Sequence, residues 1–99
     1  MRMMLKFSLP VEAANRAIKD GILPKILQGL MADLKPEATY FAAQNGLRTG
    51  FFFFDMKDPS QIPSIAEPLF MGLDAAVEFA PVMNADDLKA GLEKAAKKF

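Results

Sequence analysis

Cysteine, histidine and tryptophan are all absent from the 99 residues, and tyrosine occurs once. Without cysteine the chain forms no disulfide, carries no thiolate nucleophile and builds no Cys-ligated zinc site. Without histidine it lacks the commonest metal ligand and the commonest general base. Haem held by a proximal His and any Ser-His-Asp triad are excluded within the chain, and neither a metal nor a cofactor is expected. Neither sign of charge is in excess: twelve Lys and Arg face twelve Asp and Glu, with an isoelectric point near 6.2. That balance argues against the broad basic field of a nucleic-acid-binding surface. The one basic concentration, Lys94, Lys97 and Lys98, suits the C-terminal end of a helix, where cations complement the dipole. No apolar run approaches the ~18–20 residues needed to cross a bilayer. Lys6 interrupts the early apolar stretch, and Glu12, Asn15 and Arg16 follow, unlike a signal peptide. No membrane association is expected, and a cytoplasmic location is.

What the chain has instead is apolar bulk. Hydrophobic residues make up 52% of it, with nine Phe and seven Met. A chain of this length makes one domain with a modest core. The surplus of large apolar side chains needs another surface to bury against, and a second copy of the chain supplies one. Neither a linker nor an internal repeat divides residues 1–99.

The pattern along the chain alternates strands and helices. Residues 2–8 read as a strand with Met3, Leu5 and Phe7 on one face and Met4, Lys6 and Ser8 on the other. Residues 11–34 read as two helical pieces, broken at Gly21, with Pro24 in the first turn of the second and Pro36 as its stop. A second strand is predicted over 37–45 and a third over 47–56, joined at Asn45-Gly46, where both residues tolerate positive φ. Asp58-Pro59-Ser60 starts a further helix that Pro63 and Pro68 make short, irregular or kinked, closed by Gly72. Residues 75–83 form a fourth strand with Val77 and Phe79 on one face and Glu78 and Ala80 on the other. Asn84 then caps a last helix, with Asp87 in the position of a capping box. Leu88, Leu92, Ala95 and Phe99 form its apolar stripe, which needs something to pack on.

Strand, helix, strand, strand, helix, strand, with right-handed crossovers, leads to an α+β ferredoxin-like βαββαβ layout over residues 1–83. Its antiparallel sheet has the order 4-1-3-2, with the helices on one face and residues 84–99 as an added C-terminal helix. The other face of such a sheet ordinarily meets water and carries polar residues. The third strand forbids that: Phe51 and Phe53 point one way, Phe52 and Phe54 the other. Each Phe left wet forgoes roughly 1.5–3 kcal/mol of burial free energy. The face opposite the helices therefore needs a cover. The C-terminal helix has too narrow a stripe for a four-stranded face, so the expected cover is the sheet of a second subunit in a twofold homodimer.

In element order and length, residues 1–83 resemble the dimeric α+β-barrel group of ferredoxin-like proteins. That group includes antibiotic-biosynthesis-monooxygenase-like, muconolactone-isomerase-like and stress-responsive barrel domains. Asp55-Met56-Lys57-Asp58-Pro59-Ser60-Gln61-Ile62-Pro63, Glu67-Pro68-Leu69-Phe70, and Pro81-Val82-Met83 followed by Asp86-Asp87-Leu88 are also similar to stretches of small bacterial proteins of that group with no assigned function. The resemblance implies a homodimer. Activities in the group that rely on His, metal or haem do not carry over to a chain without His.

Few residues point to chemistry. Tyr40, Glu78 and Arg48 are the candidate acid, base and anion anchor of a cofactor-independent isomerase, lyase or oxygenase acting on a small apolar carbonyl or phenolic compound. Set against that, Tyr40 suits an interface with its hydroxyl at the edge, Glu78 suits an ion pair with Lys6 on the neighbouring strand, and Arg48 suits a solvated turn. The sequence favours a non-catalytic homodimer that binds a small apolar or aromatic molecule among Phe7, Phe41, Phe52, Phe54 and Phe79, beside the small Ala38, Ala42 and Ala43. A third expectation is a structural module whose tail helix docks on another protein.

Overall fold

The computed structural model describes residues 1–99. In chain order the elements are β1 (Arg2–Leu9), α1 (Val11–Lys19), α2 (Ile22–Leu34), β2 (Ala38–Gln44), β3 (Leu47–Asp55), α3 (Gln61–Leu73), β4 (Ala76–Pro81) and α4 (Ala85–Ala96). The strands form one sheet in the order β2-β3-β1-β4, every neighbouring pair antiparallel. This is the expected order, counted from the other edge, and it is compatible with a ferredoxin-like layout.

The turns follow local chemistry. Gly21 separates α1 from α2 at φ 71, and Asn45 and Gly46 turn the β2–β3 hairpin at φ 54 and 77, all in the left-handed region that Gly and Asn tolerate best. α3 departs from expectation in two ways. It runs as one helix of 13 residues through Pro68. Pro63 costs it nothing because a first-turn N–H has no intrahelical partner; Pro68 leaves only the Ser64 carbonyl without its usual donor. Its stop is not Gly72 but Asp74, which takes the left-handed position at φ 53. Its start is fixed by Asp58, whose carboxylate accepts from the Ser60 N–H at 2.8 Å, and by Gln61 Oε1, which accepts from the Lys57 and Asp58 N–H groups.

Strand pairing sorts the side chains onto two faces. Met3, Leu5, Phe7 and Leu9 of β1 stand beside Phe54, Phe52, Gly50 and Arg48 of β3. On this face α1, α2 and α3 bury Ala14, Ala17, Leu30, Leu34, Ile65, Leu69 and Leu73 against the β1 row, Phe52 and Phe54 in one continuous core. Phe7 and Phe52 meet edge to face, ring centroids 5.6 Å apart, a favoured aromatic geometry. Gly50 makes room for this: a Cβ there would overlap the Phe7 ring. The opposite face carries Arg2, Met4, Lys6 and Ser8 of β1, Phe51 and Phe53 of β3, Tyr40 of β2, and Glu78 and Ala80 of β4. No helix covers it. Phe51, Phe53 and Met4 are half-buried by their neighbours, and Tyr40 is 64% exposed.

The tail helix stands apart. Asn84 and Asp87 form the expected capping box, side chain and backbone reciprocally bonded. None of the residues of α4 is buried, and Leu88, Leu92 and Phe99 face solvent. The stripe expected to pack on something therefore packs on nothing within the single chain. The molecule is correspondingly elongated, with a radius of gyration of 16.0 Å where a compact domain of this length has ~13 Å. Its accessible surface is 6694 Å², against ~5,600 Å² for a compact monomer of this mass.

Candidate functional site

An apolar cleft of about 350 Å³ opens between the start of α2 and the hairpin end of the sheet, within the ~300–1,000 Å³ of small-molecule sites. It exists because the helices stop short of the edge strand. α2 reaches the sheet with Leu23 and Leu27, while β2 extends beyond them, leaving Phe41 54% exposed although its ring meets Phe52 edge to face at 5.9 Å. Phe7, lying over Gly50, and Leu9 form the β1 side. Ala42, Ala43, Arg48 and Thr49 complete the wall. On the cleft side of β2 the small side chain of Ala43, opposite Arg48, keeps the volume open. Thr49, the one buried polar residue, has its hydroxyl occupied by donation to the Leu47 carbonyl at 3.1 Å. Arg48 is the one charged residue in the lining.

The structure brings some of the sequence-derived candidates together here and not others. Phe7, Phe41 and Arg48 line the cleft. Phe52 and Phe54 lie beneath the helices, fully buried in the core, and Phe79 on β4 packs at its other side. Tyr40 and Glu78 face away, on the open side of the sheet. The register Tyr40–Phe51–Lys6–Glu78 puts them on one rung of opposite edge strands, about 14 Å apart at three strand spacings. Tyr40, Glu78 and Arg48 therefore do not converge. Glu78 instead pairs with Lys6 at 3.7 Å, the neighbour expected for it. Leu9, Leu23, Thr49 and Gly50 belong to the cleft and carry no signal in the sequence, because a helix ending short of a sheet edge is a tertiary fact.

The opposite end of the sheet is polar and internally satisfied. Arg2 donates to Glu37 at 2.7 Å and to Asp87 at 3.1 Å, tying the root of α4 to β1. Asp55 receives Lys57 Nζ and the Met1 amino group, each at 2.6 Å. The Lys57 ammonium, seconded by that amino group, holds the Asp55 carboxyl down at about 2, and the Ser60 N–H holds Asp58 below the usual carboxylate range. These pairs are solvent-exposed and of small energetic weight. No cluster of three Asp or Glu side chains forms a metal-binding group, no buried side-chain polar atom lacks a partner, and no helix is long and apolar enough to cross a membrane.

No protein-family model matches the chain, and no curated protein or solved structure matches it either.

Proposed function

We propose that the protein is a homodimeric α+β-barrel binding module that takes a small apolar or aromatic molecule in the cleft between α2 and the β2–β3 hairpin. The observation that carries the binding role is the cleft itself: a concave, largely apolar volume floored by Phe7 and Gly50 and kept open by the small side chain of Ala43. Concave, mostly apolar clefts with a few polar groups are the usual form of small-molecule sites. Nothing in the lining pairs an acid with a base, so the role is binding rather than turnover.

The dimer has its own support. Phe51, Phe53, Met4 and Tyr40 form an apolar patch, rimmed by the Lys6–Glu78 ion pair, that no element of the chain covers, and α4 carries a second, unpartnered stripe. The surface in excess of a compact monomer is about 1,100 Å², more than the ~800 Å² that one partner contributes to a standard interface. A twelve-residue helix is marginal alone in water, so α4 needs a surface, and a twofold partner offers one beside its own open sheet. This reading also accounts for Tyr40, whose amphipathic ring suits an interface.

Thermal unfolding in the presence of neutral aromatic probes such as naphthamide and indole tests the binding role. At ten times Kd, binding to the folded state alone adds about 1.4 kcal/mol, a rise of several degrees in a domain of this size. Ala43→Trp, at an exposed edge position, fills the cleft and abolishes the rise. No stabilisation of the unaltered protein by any such probe overturns the reading.

A further inference from the structure

We infer that the natural ligand is a monocarboxylic acid with an apolar or aromatic body, its carboxylate held by Arg48. This rests on the cleft being a ligand site, as proposed above. The charged residues on the four strands are Arg2, Lys6, Arg48, Asp55 and Glu78. Arg2, Lys6, Asp55 and Glu78 all lie on the open face, and each has a counter-ion. Arg48 alone lies on the helix-covered face, beside Leu9 and Ala43, and it alone has no ion-pair partner.

The helix-covered face is otherwise apolar but for Thr39, so the guanidinium enters as a single cation at the edge of an apolar wall. No Asp or Glu lines the cleft to neutralise it. A guanidinium presents a planar fork of donors that matches a carboxylate bidentately. One such fork satisfies a monoanion. A phosphate or a dicarboxylate would bring charge and acceptors that Leu9, Leu23, Leu27 and Phe41 cannot meet, and burying them unpaired is costly. The apolar walls take the rest of the molecule, and the volume of about 350 Å³ holds the body of a small ligand only.

Calorimetric titration with naphthoate and with its neutral isostere naphthamide separates the two claims. The unaltered protein is expected to bind naphthoate about tenfold more tightly, the worth of a charge-assisted hydrogen bond at the low end of its range. Added salt narrows the gap by screening the exposed guanidinium. Arg48→Gln brings the two affinities together by weakening naphthoate far more than naphthamide and removes the salt dependence of the gap, whereas a merely structural role for Arg48 would weaken both alike. Equal binding of both compounds, unmoved by Arg48→Gln, overturns the carboxylate assignment and leaves the apolar site standing. If neither compound binds the unaltered protein, the site itself falls and the assignment with it.

Discussion

Gly50→Ala is the sharpest test of how the core and the cleft are joined. Gly50 lies opposite Phe7 across the β1–β3 ladder, and a Cβ added there would overlap the end of the Phe7 ring. That ring is 2% exposed and braced edge-on against Phe52, so it has little freedom to yield except toward the cleft it lines. Forcing one extra carbon into a packed site costs about 1–3 kcal/mol. Replacing glycine inside a strand returns about 0.5–1 kcal/mol through the lower entropy of the unfolded chain. The net expected loss is therefore about 1–2 kcal/mol. With a urea dependence near the lower part of the range for small proteins, the unfolding midpoint falls by about 1 M. Protein concentration must be held constant, because dimerisation makes stability concentration-dependent. Gly29→Ala is the control: it lies exposed within α2 with nothing within 4 Å of the added Cβ, and it is expected to stabilise by about 0.5–1 kcal/mol. Gly50→Ala should also bind naphthamide more weakly, since the displaced Phe7 ring enters the cleft. A midpoint for Gly50→Ala that stays put or rises would show that the ring does not need the space.

Further outcomes follow from the same contacts. Leu69→Ala removes a fully buried side chain from the centre of the core and is expected to cost about 2–5 kcal/mol in urea unfolding; a loss well under that range would mean the site collapses around the cavity. Asp55, held at about 2 by Lys57 and the Met1 amino group, binds fewer protons folded than unfolded, where an Asp titrates near ~3.9. Its contribution to stability is complete above about pH 4 and is lost as the pH falls toward 2. Asp55→Asn should therefore flatten the acid limb of the stability profile over that window, and an unchanged slope would show that the pair does not form in solution. Asn84→Ala removes the cap of α4 and should weaken that helix by about 1 kcal/mol, read as faster amide hydrogen exchange over residues 85–96 with the core amides unaffected.

Much of the sheet was legible from residue order alone. Alternation in Met3, Leu5 and Phe7, and the opposed pairs Phe51/Phe53 and Phe52/Phe54, assign the faces because strand side chains alternate regardless of context. Asn45-Gly46 and Gly21 marked turns because few residues tolerate positive φ. α3 was harder: proline reads as a breaker, yet Pro63 falls where the helix needs no donor and Pro68 costs one bond that tertiary packing of Ile65, Leu69 and Leu73 outweighs. The cleft was half legible. Phe7, Phe41 and Arg48 were recognisable as unusual residues, but grouping them required knowing that α2 stops before β2. Phe52 and Phe54 share their composition with Phe41 and differ only in the helix above them. Tyr40 and Glu78 are likewise separated by the width of the sheet, which the linear distance between them does not reveal.

Whatever covers Phe51, Phe53 and the stripe of α4 sets the state of association of the molecule. Solution mass across a concentration series, by light scattering on the eluting protein, measures that directly. The chain of 10.9 kDa is expected to elute at twice its own mass at all but the lowest concentrations, and Phe53→Asp, on the open face, is expected to return it to the single-chain mass while it stays folded. A folded, unaltered protein that runs at the single-chain mass at every concentration would rule the dimer out.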